Sequence, residues 1–495
     1  MTERRKDYMI IAALLTVVIA CYSKVLFTDQ IIRAPDIINE FYWGVEGVGK
    51  LPFSDLFKID LSSAGWNSYV NSGHTNLGGA ASLKFLIHKN LIFWLFPAPS
   101  CVAWFIVLHL FSGAVGTYFF CRLAGCGRGA AFLGGLVFAL STENASLINA
   151  GHVMKIATIS YAPWAFYFLE RGFKTSRPIF FLTTSVVLAF QFFNTHWQIA
   201  FYTCLALAIY GIVRMILLVR GELSGKKSQI YRMLGLNLLV LVFFLTTVAI
   251  SLVPLAKWST DTNRGAQSGA NQGRGGLDRE EAMSWSMPPE ELISFAIPGF
   301  FGLSRQEAGE NPENIPAYYW GRMVFTQTQS YMGLLPWLLL PLPLIFRRDR
   351  LTWLALLLAA FGIIFSMGKF TPFYNLLYDF FPGINRFRVP KMMMFIPVFA
   401  LGFLGASGLD ALRDDEICNS ANFRRYIYGI GTFVLLLVML FSMEFFAGEF
   451  TRSLFFPQIA EATRYEAGSY LVGQRFNNIM HETVIALIFA SLFAA

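Results

Sequence analysis

Three sets of polar residues in this 495-residue chain have the types and spacing to do chemistry. The first is Asp36, in Pro35-Asp36-Ile37-Ile38-Asn39-Glu40. A carboxylate can take the proton from a hydroxyl as that oxygen attacks an electrophilic carbon. Partial desolvation near a bilayer surface would favour its protonated form and suit it to that task. In a helix over residues 36–42, Asp36, Asn39 and Glu40 share a face and could grip a divalent cation, the one cofactor this stretch suggests. The same carboxylate could equally be a solvated loop residue or a helix N-cap beside Pro35. The second set is Arg386, Arg388 and Lys391, after Pro382-Gly383. Guanidinium groups offer a planar fork to phosphate oxygens and would stabilise a phosphate as it departs; cations anchoring a helix end are the alternative. The third set is His152 with Lys155, together with His196, which could hold a phosphate or a hydroxyl or sit in an aromatic belt. No two of the six histidines have zinc spacing, so no metal set can be named.

The elements that must position these residues are apolar. The chain is 55% hydrophobic and 14% charged, against about 25% charged in a soluble domain. Twelve apolar runs fall at 8–27, 100–121, 130–148, 153–170, 178–194, 197–219, 233–256, 330–346, 351–368, 389–409, 427–447 and 480–495. Each is long enough, or nearly so, to cross a bilayer as a helix. The third is strongly apolar only to residue 140, before Thr142, Glu143 and Asn144, and the last is cut short by the end of the sequence. With the N-terminus inside, every inner connection is basic: Arg4, Arg5 and Lys6; Arg122 and Arg128; Arg171, Lys174 and Arg177; Arg214 to Arg232; Arg347, Arg348 and Arg350; Arg413, Arg424 and Arg425. The outer connection 191–197 has no Lys or Arg. Lys and Arg collect on cytoplasmic loops, so the alternation supports an all-α polytopic membrane protein of about 11–12 transmembrane helices, forming a single transmembrane domain over residues 1–495. It leaves large outer segments at 28–99, 257–329, 369–388 and 448–479. Phe53, Leu56, Phe57 and Leu61 predict an amphipathic helix lying in the membrane interface. Residues 263–276 read as a Gly-, Asn- and Gln-rich loop, and Glu280, Glu281, Glu290 and Glu291 as solvated faces of short outer helices.

The net charge of +8 has this topological explanation, so no nucleic-acid partner is expected. The six cysteines lie in or beside apolar runs, or on inner connections, and suggest no disulfide framework. The first run follows Arg4, Arg5 and Lys6 like a signal sequence but is long enough to span, and reads as an uncleaved anchor. Trp66, Trp285, Tyr318, Tyr319 and Trp320 lie among Asn and Gln in the outer segments, where they could stack on sugars or form an interfacial belt.

An ordered set of short patterns resembles the YfhO-type bacterial membrane proteins, a family assigned to the GT-C class of membrane glycosyltransferases. After Asp36 come Trp66-Asn67-Ser68 leading to Gly73, Gly135 to Ser141 (GLVFALS), Ala150-Gly151-His152 and Ala162-Pro163-Trp164. Asn194-Thr195-His196-Trp197-Gln198, Tyr319-Trp320-Gly321, Tyr331-Met332-Gly333, Ser366-Met367-Gly368 and Phe387-Arg388-Val389 follow. The resemblance implies a GT-C-like fold in the bacterial cytoplasmic (inner) membrane and a polyprenyl-phosphate sugar donor. It implies an envelope polysaccharide, lipid or protein acceptor on the outer face, and a catalytic acid in the first outer loop, where Asp36 stands. Glu40, His152, Lys155 and His196 would then be substrate-binding and Arg386, Arg388 and Lys391 donor-phosphate-binding. The family runs on with further spans and an outer C-terminal region.

The competing function is a transporter or flippase of a lipid-linked saccharide. Ion-coupled transporters place ionisable residues mid-membrane and interrupt their helices there. The runs hold few such residues: Glu170 and Asp410 lie at inner ends and Glu444 near an outer one.

Overall fold

A computed structural model describes residues 3–38, 41, 66–67, 74–75, 87–260, 262, 264, 276–302, 319–323, 330–455, 459 and 469–495. Each of the twelve apolar runs falls on a helix or a helix pair. The principal helices are α1 (Glu3–Cys21), α2 (Cys101–Leu123), α3 (Arg128–Leu140), α4 (Thr142–Ala150), α5 (Val153–Ser160), α6 (Ala162–Thr175) and α7 (Pro178–Phe193). They continue with α8 (Trp197–Arg220), α9 (Lys227–Ser259), α10 (Leu334–Leu339), α11 (Arg350–Ser366), α12 (Phe395–Ala411), α13 (Ala421–Phe446) and α14 (Ser469–Ala494). The one ladder among the described residues pairs Trp66–Asn67 with His74–Thr75, antiparallel. Seven stretches are long and apolar enough to cross a membrane, and Pro178–Phe193, Leu334–Arg347 and Arg350–Ser366 are shorter apolar helices. The chain is an all-α membrane protein. The expected interfacial helix at 53–61 and residues Asn39 and Glu40 lie outside the described residues.

Helix α12 is the axis of the bundle: every residue from Phe395 to Gly408 is buried, whereas α9 buries only Met233, Leu236, Val248 and Ser251. The contrast follows from side-chain size. Gly402 of α12 faces Gly134 of α3 so closely that a Cβ on either would sit 3.0 Å from the other's carbonyl oxygen. Small residues let apolar helices pack backbone to backbone, which drives association where lipid is as apolar as leucine. Helix α9 carries Leu238, Leu241, Val242 and Leu245, all exposed, and presents them outward. A second core gathers Ile297, Phe300, Phe301 and Trp320 with α10, α13 and α14. The last helix starts at Ser469, earlier than its hydropathy predicts, and its polar first turns include Arg475, buried, whose Nη1 donates to the Ile459 carbonyl at 2.9 Å.

Contacts sort the connections to two ends. At one, Asp7 accepts from Arg128 Nε at 2.7 Å and from the Tyr118 hydroxyl at 2.6 Å. There too Arg122 donates to the Cys126 carbonyl at 2.6 Å, Arg347 pairs with Asp410 at 3.1 Å and Lys174 donates to the Leu123 carbonyl at 2.6 Å. Arg347 also reaches Cys126 Sγ at 3.5 Å, so Arg122 and Arg347 share an end as the charge alternation requires. At the other end Arg279 pairs with Asp379 at 2.6 Å, the Lys369 amide donates to Ser286 at 3.0 Å, and Asn478 donates to the Gly299 carbonyl at 3.1 Å.

Candidate functional site

The site is assembled from five connections at this second end. Asp36 sits in a single helical turn, Pro35–Ile37. The turn docks on the α4–α5 corner, where Gly151 has φ +87°. A Cβ at Gly151 would lie 2.9 Å from the Asp36 Cβ and 3.0 Å from the Ala34 Cβ. Glycine is therefore required twice, for the left-handed backbone and for the approach of the Asp36 turn. The next residue, His152, places Nδ1 3.2 Å from Asp36 Oδ2. Burial holds the His152 imidazole below its ordinary range, Asp36 pulls it back up, and the nearby Lys155 charge lowers it further. His196, at the α7–α8 corner after Thr195 at φ +64°, is pushed well below its ordinary value by burial and then by Lys155 and His152.

The expected trio of cations divides at Val389. This β-branched residue has φ +63°, a conformation that costs of order 1–3 kcal/mol and collects at functional sites. Before it the chain is extended through Phe387 and Arg388, with the Arg388 carbonyl accepting from Gln198 Nε2. After it the chain turns inward as Pro390–Met394. The reversal sends Arg388 to a cavity and Lys391 into the interior. Arg388 lies 5.3 Å from the centroid of the Trp285 ring, and Arg386 donates to Ser259 Oγ at 3.2 Å. Lys391 is fully buried, as are Lys155, Glu143 and Glu291. Lys155 and Lys391 are each within electrostatic reach of Glu143, and Glu291 is within reach of Lys391. Neither lysine Nζ has a hydrogen-bond partner among the described residues.

The cavity measures about 1380 Å³. Its polar end is lined by His152, His196, Gln198, Arg264, Arg386 and Arg388; its body is an apolar trough between α8 and α9 reaching Ile216 and Leu234. Helix α9 packs along α7 and scarcely touches α8, and this gap makes the trough. Arg264 is lowered by burial and by the Arg388 charge, with Glu281 opposing. Two guanidinium groups that repel each other beside a cavity are suited to an anion between them. Asp36 is outside the lining and, among the described residues, meets it through His152. Of the residues expected to bind donor phosphate, Arg386 and Arg388 share the cavity and Lys391 does not.

Several readings change. Glu291 is no solvated carboxylate: it is buried, accepts from the Tyr319 hydroxyl, and is raised to about 7 by burial, with Lys391 and Tyr319 pulling the other way. Glu290 pairs with Arg322 at 2.5 Å. Trp320 is a core residue against Phe300 and Phe301, whereas Trp285 faces Arg388. Arg264 escaped sequence reasoning, its signal being one arginine in a Gly/Asn/Gln-rich stretch. So did the role of Glu143, which sits just after the α3–α4 break at Ser141 (ψ 142°), where Asn144 Nδ2 donates to the Phe138 carbonyl at 2.7 Å. Among the described residues no three His, Cys, Asp or Glu side chains converge as a metal set. No family model matches the chain, and neither a curated protein nor a solved structure does.

Proposed function

We propose that the chain is a membrane glycosyltransferase of GT-C type, in keeping with its resemblance to the YfhO-type proteins. In this reading it moves a sugar from a polyprenyl-phosphate donor to an envelope polysaccharide, lipid or protein acceptor. The site opens on the outer face of the bacterial cytoplasmic membrane and the N-terminus is cytoplasmic. One observation carries the reading: a cationic pocket is continuous with an apolar trough along α8 from His196 to Ile216. Twenty helical residues at about 1.5 Å each span roughly 30 Å, about the thickness of the bilayer hydrocarbon. Ordinary small-molecule pockets hold about 300–1,000 Å³, so a cavity of about 1380 Å³ suits a phosphate with a long chain. Arg264, Arg386 and Arg388 would neutralise the departing lipid phosphate. The Asp36–His152 pair, at the same mouth, would take the proton of the attacking hydroxyl.

The test is transfer of a labelled sugar from a polyprenyl-phosphate donor by purified protein. Asp36→Asn should lower turnover about 10²–10⁴-fold with donor binding retained. Arg388→Ala should weaken donor binding and turnover together, because the phosphate is charged in ground and transition states alike. Near-normal turnover by Asp36→Asn in an active preparation removes Asp36 from the mechanism. A second reading, transport of a lipid-linked saccharide, draws on the broken α3–α4 helix with Glu143, Lys155 and Lys391 buried beside it. It wins if no donor supports transfer while the protein moves such lipids across liposomes.

A further inference from the structure

We propose that the base of this reaction is His152 and that Asp36 is its positioning carboxylate, holding the imidazole with the proton on Nδ1 so that Nε2 faces the cavity as the proton acceptor. The inference rests on the transferase reading and goes beyond it in dividing the roles of the pair.

The first observation is which residue reaches the cavity. His152 lines it, and Asp36 does not. The second is the contact between them, with His152 Nδ1 3.2 Å from Asp36 Oδ2. Nδ1 is the ring nitrogen turned to the carboxylate; a carboxylate oxygen accepts hydrogen bonds, so in the tautomer that matches this contact the hydrogen is on Nδ1 and the lone pair of the neutral ring on Nε2. Asp36 is the sole polar partner of the His152 side chain among the described residues, which leaves Nε2 to a ligand. The third is the corner that builds the pair. Gly151 brings the Asp36 turn to within contact of the α4–α5 corner, so the contact is set by the backbone on both sides rather than by two long flexible side chains. Charged and titratable neighbours are Lys155 on α5 and His196 at the α7–α8 corner. Lys155 offers only donors, and His196, whose neutral ring does carry an acceptor nitrogen, makes no hydrogen bond to His152 among the described residues, so Asp36 meets no competitor for the Nδ1 hydrogen.

The step balances as follows. The acceptor hydroxyl loses its proton to His152 Nε2 as its oxygen bonds to the anomeric carbon. The bond from that carbon to the phosphate oxygen breaks, and the electron pair leaves with the lipid phosphate beside Arg264, Arg386 and Arg388. The imidazolium is stabilised by the Asp36 carboxylate until it returns the proton to water.

The experiment uses the full chain with a polyprenyl-phosphate sugar donor. His152→Gly should lose about 10²–10⁴-fold in turnover, and a series of substituted imidazoles should restore it in order of their basicity. His152→Gln, which keeps a donor for Asp36 but has no basic nitrogen, should be equally inactive with donor binding intact. Asp36→Asn should be impaired without rescue by any imidazole, since the native ring still fills the site; losing the orienting carboxylate of such a pair costs about 10⁴-fold in a serine protease. Nitrogen-15 spectra of histidine-labelled wild type should give a His152 signal, assigned by its loss in His152→Gln, with Nδ1 protonated and Nε2 bare. The assignment is overturned if His152→Gly or His152→Gln keeps turnover within a few-fold, if imidazoles leave His152→Gly unrescued, or if Nε2 carries the proton in the wild type. An active wild type with any of those results sinks only the base assignment. A wild type that transfers no sugar sinks the transferase reading, and the nitrogen spectra then still decide whether Asp36 and His152 are paired in this way.

Discussion

At the scale of single residues, burial and charge have been arranged against each other around the site, and Glu291 shows this in a measurable way. Its carboxyl is raised from an ordinary 4.5 to about 7 by burial. The folded protein therefore binds this proton more tightly than the unfolded chain. Stability from the group is fully present below about pH 4.5 and is lost as pH rises through about 7. At about 1.4 kcal/mol per pH unit the loss amounts to roughly 3 kcal/mol. Glu291→Gln, which keeps the shape and cannot ionise, should remove this slope, so thermal unfolding in nanodiscs at pH 5 and pH 8 should differ less than in the wild type. An unchanged difference would mean that Lys391 already neutralises the carboxylate. Glu290, paired with Arg322, should not be treated as an inert control for such work.

The elements are held in place by a few contacts that cannot be relaxed by side-chain motion. The α4–α5 corner is one. In Gly151→Ala the new methyl meets the Asp36 and Ala34 Cβ atoms at 2.9 and 3.0 Å, on a backbone at φ +87°. Strain of this kind costs about 1–3 kcal/mol. The expected outcome is a protein that still inserts, unfolds at lower temperature, and loses turnover because the Asp36 turn is pushed off His152. Retained turnover would show that the corner does not position the pair. A second contact locks α6 to α8 at the end of the trough opposite the cationic pocket, beside the lining residues Leu169 and Met215. Glu170, buried, accepts from Arg214 through both oxygens at 3.0 Å and from the Tyr210 hydroxyl at 2.7 Å. Removing one partner of a buried pair costs about 3–5 kcal/mol, so Glu170→Ala should lower the thermal unfolding temperature of the purified protein. The Val389 reversal is the third device, and it is the reason adjacent cations serve different surroundings.

Across the whole molecule, charge sorts the connections between the two ends and side-chain size sorts the bundle between axis and rim. Exposed Ser224 and Lys369 lie on connections at opposite ends. Cysteine placed at each should react with a membrane-impermeant thiol reagent from opposite sides, position 369 from outside intact cells and position 224 only after lysis. Labelling of both from one side would overturn the alternation of Lys and Arg as a guide to this chain. The gap between α8 and α9 is a feature of the same scale: a lipid-facing helix that packs along α7 leaves a trough between itself and α8.

The sequence alone determined the helical class, the twelve apolar runs and the sorting of their connections. All of these follow from local hydropathy and from the side of a span on which Lys and Arg stand. It also pointed to Asp36, His152, His196, Arg386 and Arg388, because short polar patterns between apolar runs are conspicuous. What only the tertiary structure decided is which of those residues meet. Asp36 and His152 are brought together by a close approach at Gly151, more than a hundred residues after Asp36. Lys391 leaves Arg388 because one backbone angle at Val389 reverses the chain. Glu143 and Glu291 read as polar interruptions or solvated faces, since hydropathy records that a charge is present but not that a second charge lies across the fold to balance it. A lysine from another helix, or from the turn after Val389, makes such burial tolerable, and contact between segments so far apart in the chain has no local signature.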